Sequence, residues 1–257
     1  MNLNTEPNEQ IDTLHLNGYK IIQNKNGFMF GVDAVLLAHF ASSIIRKNDH
    51  VIDLGTGNGI IPILLAAQST AKEITGIEYQ EISANLATRS IQLNNLSDKI
   101  HIVQGNVAEI QKHFASRSAD VVVSNPPYIP TFASGTTTQN PAHSPNKTES
   151  LSLARHEISA TLQDFVRAAS FILKPHGKFC LIHRPNRLSE IFAALHSEGL
   201  EPKRMQFIHP LSDRPPTMVL IEARKDAKPD LSILPPLVMY DRPQVRSQAL
   251  EAIYRAP

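Results

Sequence analysis

The sequence predicts an α/β fold built on a seven-stranded, mostly parallel sheet, and three observations predict it. From residue 50 onward, short β-rich apolar runs alternate with helix-like stretches, the pattern of βαβ units. A glycine turn, Gly55-Thr56-Gly57-Asn58-Gly59, follows the first such run directly. The run Val121-Val122-Val123 reads as a strand buried on both faces. With 257 residues and 42% hydrophobic positions, the chain is long enough for one domain with a substantial core.

In chain order, residues 13–30 read as a hairpin around an Asn17-Gly18 turn, followed by a helix over about 33–46. Residues 1–48 are therefore expected to form a small extension packed on a domain of residues 49–257. Strands are predicted at 50–54, 73–77, 100–103, 119–124, 177–182, 203–208 and 217–222. Helices fall between them at about 60–68, 81–94, 106–114, 150–173 and 187–197. The last two strands are joined by a short segment, so the sheet should end in an antiparallel hairpin. Two stretches interrupt the pattern, 129–149 and 225–241. The first is rich in Thr, Ser, Pro and Asn and follows a buried strand, which is the place of a functional lid or of disorder.

Charge and cysteine usage exclude several classes. The chain carries 25 basic and 24 acidic residues, a net charge of +1, so a nucleic-acid partner would need a local patch. Residues 1–124 hold nine basic and twelve acidic side chains, whereas 174–228 hold ten and six, so the basic half is the carboxy-terminal part of the sheet. The single cysteine, Cys180, lies in an apolar run, which excludes a disulfide framework and a cysteine zinc site and fits a reducing cytoplasm. No metal site is expected. The amino terminus lacks a basic start followed by an apolar run, and no apolar stretch approaches the roughly 18 residues of a membrane helix.

The glycine turn joins a strand to a helix, where backbone can approach a ligand. Its spacing is G-x-G-x-G rather than the G-x-G-x-x-G of a pyrophosphate grip, which favours a nucleoside without phosphates if the turn binds a ligand; a purely structural turn is the alternative. Glu78 closes the next strand, where a carboxylate can accept from both hydroxyls of a ribose. The third strand runs into Gln104-Gly105-Asn106, the position from which a polar side chain could read an adenine amino group.

Asn125-Pro126-Pro127-Tyr128 stands at the carboxyl end of the triple-valine strand. Two prolines remove two backbone donors and stiffen the turn, leaving carbonyl acceptors, the Asn amide and a Tyr ring face. That set suits a planar amino or amide group held by its two N–H bonds with the nitrogen lone pair aimed at an electrophile. A general base is unnecessary, because the nitrogen becomes acidic once it is alkylated.

These residues resemble the class I S-adenosylmethionine-dependent methyltransferases, Rossmann-like enzymes, in the branch that methylates exocyclic amino or amide nitrogens. Four further motifs, Gly27-Phe-x-Phe-Gly-x-Asp-Ala-x-Leu-Leu-Ala38, Asp53-Leu-Gly-Thr-Gly-Asn-Gly-Ile-Ile-Pro62, Ala154-Arg-His-Glu157 and His183-Arg-Pro-x-Arg187, resemble the bacterial tRNA1(Val) adenine N6-methyltransferase family. The resemblance covers about residues 13–255 and implies methylation of the adenosine immediately 3′ of the anticodon. It implies S-adenosylmethionine as cofactor, with Asp53, Gly55, Gly57 and Gly59 around its methionine part and Thr56 among its contacts. Glu78 would hold the ribose, and Tyr79 and Asn106 would serve the adenine, Asn106 replacing a more usual Asp and weakening the grip. Asn125 and the Pro126 carbonyl would bind the target amine, Pro127 would stiffen the turn and Tyr128 would stack on the base.

A base in an anticodon loop must be swung out of its stack, at a cost of a few kcal/mol. Arg184, Arg187, Lys203 and Arg204, with the 129–149 loop, are the candidates for the compensating RNA contacts; His156 and Glu157 read as a helix-face pair. The rival readings are a protein-glutamine N5-methyltransferase acting on release factors, a methyltransferase of another RNA or of DNA, and a non-catalytic RNA-binding relative. A monomer without membrane contact is expected.

Overall fold

Val121 and Val123 pack in one apolar cluster and Val122 in another, so residues 119–124 lie in a sheet covered on both faces. In this computed structural model, residues 5–14, 16–25, 30–128 and 160–255 are described. The 129–149 stretch, His156, Glu157 and the rest of Ala154–Glu157, and residues 27–29 of the first motif lie outside them.

The elements in order are β1 (Glu9–Thr13), β2 (Lys20–Asn24), α1 (Val32–Ser42), β3 (His50–Leu54), α2 (Ile60–Gln68), β4 (Glu73–Glu78), α3 (Glu81–Leu93), β5 (Ile100–Gln104) and β6 (Ala119–Ser124). They continue with α4 (Leu162–Ile172), β7 (Leu173–His183), α5 (Leu188–Ser197), β8 (Leu200–His209) and β9 (Met218–Lys225). The main sheet runs β8-β9-β7-β6-β3-β4-β5. Strands β7, β6, β3, β4 and β5 are parallel to their neighbours in that series, and β9 is antiparallel to both β7 and β8. The closing antiparallel hairpin is thus present.

Among the described residues the sheet has nine strands rather than seven. The extra pair, β10 (Ser232–Ile233) and β11 (Leu237–Val238), runs along the outer edge of β8 within the 225–241 stretch. Two residues each is too short for a periodic signal, yet they occupy backbone groups that an open edge would expose. A small hairpin of β12 (Tyr240–Arg242) and β13 (Val245–Arg246) and the helix α6 (Gln248–Arg255) follow. No helix among the described residues is long and apolar enough to cross a membrane.

Helices cover both faces. Residues of α1, α2 and α6 pack with Val51, Ile74, Val121 and Cys180, while α4 and α5 pack with Ile52, Ile77, Val122 and Phe179. The first hairpin turns through Asn17 and Gly18, with φ of 51° and 69°. It begins at residue 9 rather than 13, because Glu9 is buried by an ion pair to Arg89 at 2.6 Å instead of by apolar contact, and apolar alternation does not register that. Its second strand is fixed to α3: the Ile22 N–H donates to Ser90 Oγ at 3.0 Å, and Asn94 bonds both the N–H and the carbonyl of Lys20.

Three helices differ from their predicted spans. Helix α1 stops at Ser42, where the Ser42 and Ser43 hydroxyls donate to the carbonyls of His39 and Phe40, each at 2.8 Å, in place of the helical ladder. The predicted helix over 106–114 is a 3-10 segment, Val107–Lys112, broken by a non-helical Glu109. Helix α4 starts at Leu162, set by a capping box between Thr161 and Asp164; the first ten residues of the predicted span, 150–159, lie outside the described residues.

Candidate active site

Strand pairing puts the two chemical motifs side by side. Leu54 pairs with Ser124 across β3 and β6, and the Ser124 hydroxyl donates to the Leu54 carbonyl at 2.9 Å. The glycine turn and Asn125 therefore leave adjacent strand ends at the carboxyl edge of the sheet, the ligand-binding edge of such folds.

In the turn, the N–H groups of Gly55 and Thr56 both donate to the Ile77 carbonyl, at 2.9 and 3.0 Å. Gly57 has φ +57° and open space where a side chain would stand; Gly59, at φ +85°, lies where a Cβ would come 3.1 Å from that of Ala87. Asp53 is fully buried, and neither of its carboxylate oxygens has a hydrogen-bond partner; the Thr56 hydroxyl is buried and unpartnered as well. Burial pushes the Asp53 carboxyl up to about 7, offset in part by the nearby Thr56 hydroxyl dipole and reinforced by the charge of Glu78.

Glu78 accepts from the Gly57 N–H and the Gln80 N–H, both at 2.9 Å. Burial still holds its carboxyl above the usual range. Tyr79 beside it is half exposed at 49%. Asn106 departs from the expectation that its oxygen is free for an adenine: Oδ1 accepts from the Ala108 N–H at 2.9 Å, capping the 3-10 segment, so one of its two lone pairs is already engaged.

In the Asn125–Tyr128 turn, Pro126 is buried, Pro127 is exposed, and the Asn and Tyr side chains are half buried. The Tyr128 hydroxyl lies 2.7 Å from Asn125 Oδ1 and 3.1 Å from Asp33 Oδ2, and Asn125 Nδ2 donates to the same Asp33 oxygen at 3.1 Å. Burial, then the Asp33 charge, push the Tyr128 hydroxyl far above its ordinary range, so it remains a donor. Sequence reasoning assigned Asp33 no role, although it stands in the first motif; an acid in the first turn of a helix is ordinarily only a favourable charge there.

Behind the turn, the His183 ring meets Tyr128 edge-on at 5.0 Å between centroids, and the Arg184 guanidinium lies 4.8 Å from the Tyr128 ring centre. His183 is fully buried; burial, with the Arg187 charge adding to it, pushes its imidazole down to about 4, so it is neutral at physiological pH.

The four basic candidates differ in their surroundings, and one of them, Arg187, is buried rather than on the surface. Arg184 remains at the site and donates to the Thr217 carbonyl at 3.1 Å. Arg187 is buried, with Nε donating to Glu190 at 2.8 Å and Nη2 to its other oxygen. Lys203 reaches the Lys228 carbonyl and Asp230, at 3.2 and 3.6 Å. Arg204 lies against Glu222 at 3.3 Å and over the Phe40 ring at 4.9 Å, on the α1 face.

Residues 45–217 match the sequence model of a family described as a methyltransferase domain. Among curated proteins, the chain is 27% identical over 217 residues to the tRNA1(Val) (adenine(37)-N6)-methyltransferase of Porphyromonas gingivalis, spanning 83% of this chain and 81% of that protein. To the protein of the same name from Parabacteroides distasonis it is 29% identical over 219 residues, spanning 84% and 86%. Among solved structures, a predicted O-methyltransferase from Agrobacterium tumefaciens superposes with a TM-score of 0.67 at 23% identity, over 87% of this chain and 97% of that one, a likeness of fold.

Proposed function

We propose that this chain, which belongs to the methyltransferase-domain family, transfers the methyl group of S-adenosylmethionine to N6 of an adenosine in tRNA. The target is the adenosine 3′ of the anticodon of tRNA1(Val), a reading supported by curated relatives named for adenine 37 of that tRNA. One observation carries the reading: an acceptor-bearing Asn-Pro-Pro-Tyr turn emerges beside a glycine turn whose buried acid has no partner.

The residues fit the cofactor. S-adenosylmethionine brings an ammonium group and a ribose diol; the two unpartnered oxygens of Asp53 suit the cation, and the spare lone pairs of Glu78 suit the hydroxyls. Gly55, Thr56, Gly57 and Gly59 form the wall against which the methionine part lies, Tyr79 offers a ring face to the adenine, and Asn106 adds a weaker polar contact. When bound, the cofactor supplies an electrophilic methyl group on a sulfonium.

Asn125 Oδ1 and the Pro126 carbonyl accept the two N6–H bonds of the target, which orients the nitrogen lone pair toward the cofactor side. Pro126 and Pro127 keep these acceptors in place without competing donors. Tyr128 stacks on the flipped base, and Arg184, on its ring, holds the adjacent RNA backbone. Residues 1–48 form an extension on the methyltransferase domain of residues 49–257, and the protein works as a cytoplasmic monomer.

The test is transfer of labelled methyl to an unmodified tRNA1(Val) transcript and, in parallel, to a release-factor fragment, with mass spectrometry of the products. N6-methyladenosine beside the anticodon is the expected product. Label confined to the protein fragment would replace this reading with glutamine methylation.

A further inference from the structure

The Asn125 amide is useful to a target amine only in one of its two orientations. Its oxygen accepts N–H bonds; its nitrogen carries two hydrogens and would oppose the hydrogens of an exocyclic amine. Something must set that choice, and neither neighbouring proline has an N–H with which to do so.

Asp33 stands where it can. Its Oδ2 accepts from Asn125 Nδ2 at 3.1 Å and lies 3.1 Å from the Tyr128 hydroxyl, while its Oδ1 accepts from the Ala34 N–H at 2.9 Å. An ionised carboxylate only accepts, so the amide must turn its NH2 toward Asp33 and its oxygen away. The opposite end meets the Tyr128 hydroxyl at 2.7 Å, and since that hydroxyl has one hydrogen, the shorter contact takes it. Tyr128 thereby engages one lone pair of Asn125 Oδ1 and leaves the other for an incoming N–H. A flipped amide would lose the bond to Asp33 and set oxygen against its carboxylate, while the Tyr128 hydroxyl could serve either orientation, so the choice rests on Asp33.

The carboxylate is itself well anchored. It sits in the first turn of α1, where the helix dipole favours a negative charge, and the following Leu36 and Leu37 are buried at 1% and 0% exposure. The α1 helix belongs to the extension ahead of the sheet, and Asp33 is 92 residues from Asn125 in the chain. We infer that Asp33 is a positioning residue that locks the Asn125 amide with its oxygen toward the target amine, so that the amino-terminal extension completes the reacting centre. This inference deepens the methylation reading and rests on it for the identity of the amine.

The test compares Asp33→Leu and Asp33→Asn, each in the full chain and each also combined with Asn125→Ala. In methyl transfer to tRNA, Asp33→Leu should lower kcat about 100-fold, with the Kd for S-adenosylmethionine within about twofold of wild type. Asp33→Asn keeps the shape but offers one acceptor oxygen where two donors arrive, so its loss should fall between those of the wild type and Asp33→Leu. In the Asn125→Ala background, Asp33→Leu should cost nothing further; an equal loss in both backgrounds overturns the proposal. A substrate-free readout separates this inference from the methylation reading, namely the 15N-resolved side-chain amide signals of Asn125. Their shifts and exchange protection should collapse in Asp33→Leu. Unchanged signals overturn the lock whatever the substrate, whereas collapsed signals with a wild type that methylates no tRNA leave the lock standing and remove the tRNA reading alone.

Discussion

Glu78 Oε2 accepts the backbone N–H of Gly57 at 2.9 Å, so the acid that ends β4 braces the glycine turn that follows β3. Its other oxygen accepts the Gln80 N–H, also at 2.9 Å. A glutamine at this position would turn an NH2 group toward one of those donors. Glu78→Gln should therefore raise the Kd for S-adenosylmethionine about tenfold, roughly the loss of one such bond. Calorimetric titration measures it, and an unchanged Kd would remove Glu78 from the cofactor site.

Asp53 yields a pH dependence with a definite sign. Its carboxyl is raised from an ordinary 3.8 to about 7, so between those values the folded, ligand-free protein holds a proton that the unfolded chain has released. The contribution of Asp53 to stability should therefore be full below pH 4, fall as pH rises toward 7, and level off above it, a span on the order of 4 kcal/mol. Asp53→Asn should flatten this slope in denaturant titrations. Binding of a cationic ligand favours the ionised form, so S-adenosylmethionine binding at pH 6 should release about one proton, read by calorimetry in buffers of different ionisation enthalpy. Proton-neutral binding at that pH would contradict the assignment.

Gly76 faces Asp53 across the β3–β4 pairing, and a Cβ there would lie 2.7 Å from Thr56 Cγ2. Thr56 is itself buried, at 3% exposure. Gly76→Ala should cost about 1–3 kcal/mol by overpacking and weaken cofactor binding through displacement of the turn. A thermal melt with and without S-adenosylmethionine checks both effects; a variant with wild-type melting and wild-type ligand shift contradicts the packing argument.

Arg184 and Arg187 should separate cleanly. With Arg184 proposed to hold the RNA backbone, Arg184→Ala should weaken tRNA binding, lowering the slope of log K against log salt by about 1. Arg187 is buried against His183 and paired with the partly exposed Glu190, so Arg187→Ala should act chiefly on the fold, at about 2 kcal/mol. Fluorescence anisotropy across a salt series, together with melting temperatures, distinguishes them. Equal salt slopes for the wild type and Arg184→Ala would place the RNA elsewhere.

The parts of this site that could be read from the sequence are those whose chemistry is local. Glycines at 55, 57 and 59 and two prolines after a triple-valine strand restrict the backbone wherever they occur, and the structure has them at the expected strand ends. What escaped depends on long-range partners. Asp33 looks like a helix-start acid until the turn at Asn125 is folded against it, and Arg187 looks solvated until Glu190 and His183 enclose it. Strand β1 is held by the pair between Glu9 and Arg89, 80 residues apart, rather than by an apolar face. The α4 start was visible in Thr161-x-x-Asp164, a capping signal outweighed by the longer apolar pattern around it.

The most direct test of the central claim, that Asn125 holds the amine while Asp53 and Glu78 hold the cofactor, is the rate of methyl transfer by Asn125→Ala measured beside its affinity for S-adenosylmethionine. The account predicts a kcat lower by about 100- to 1,000-fold with the Kd within about twofold of wild type. Undiminished turnover, or cofactor affinity lost in step with turnover, would contradict it.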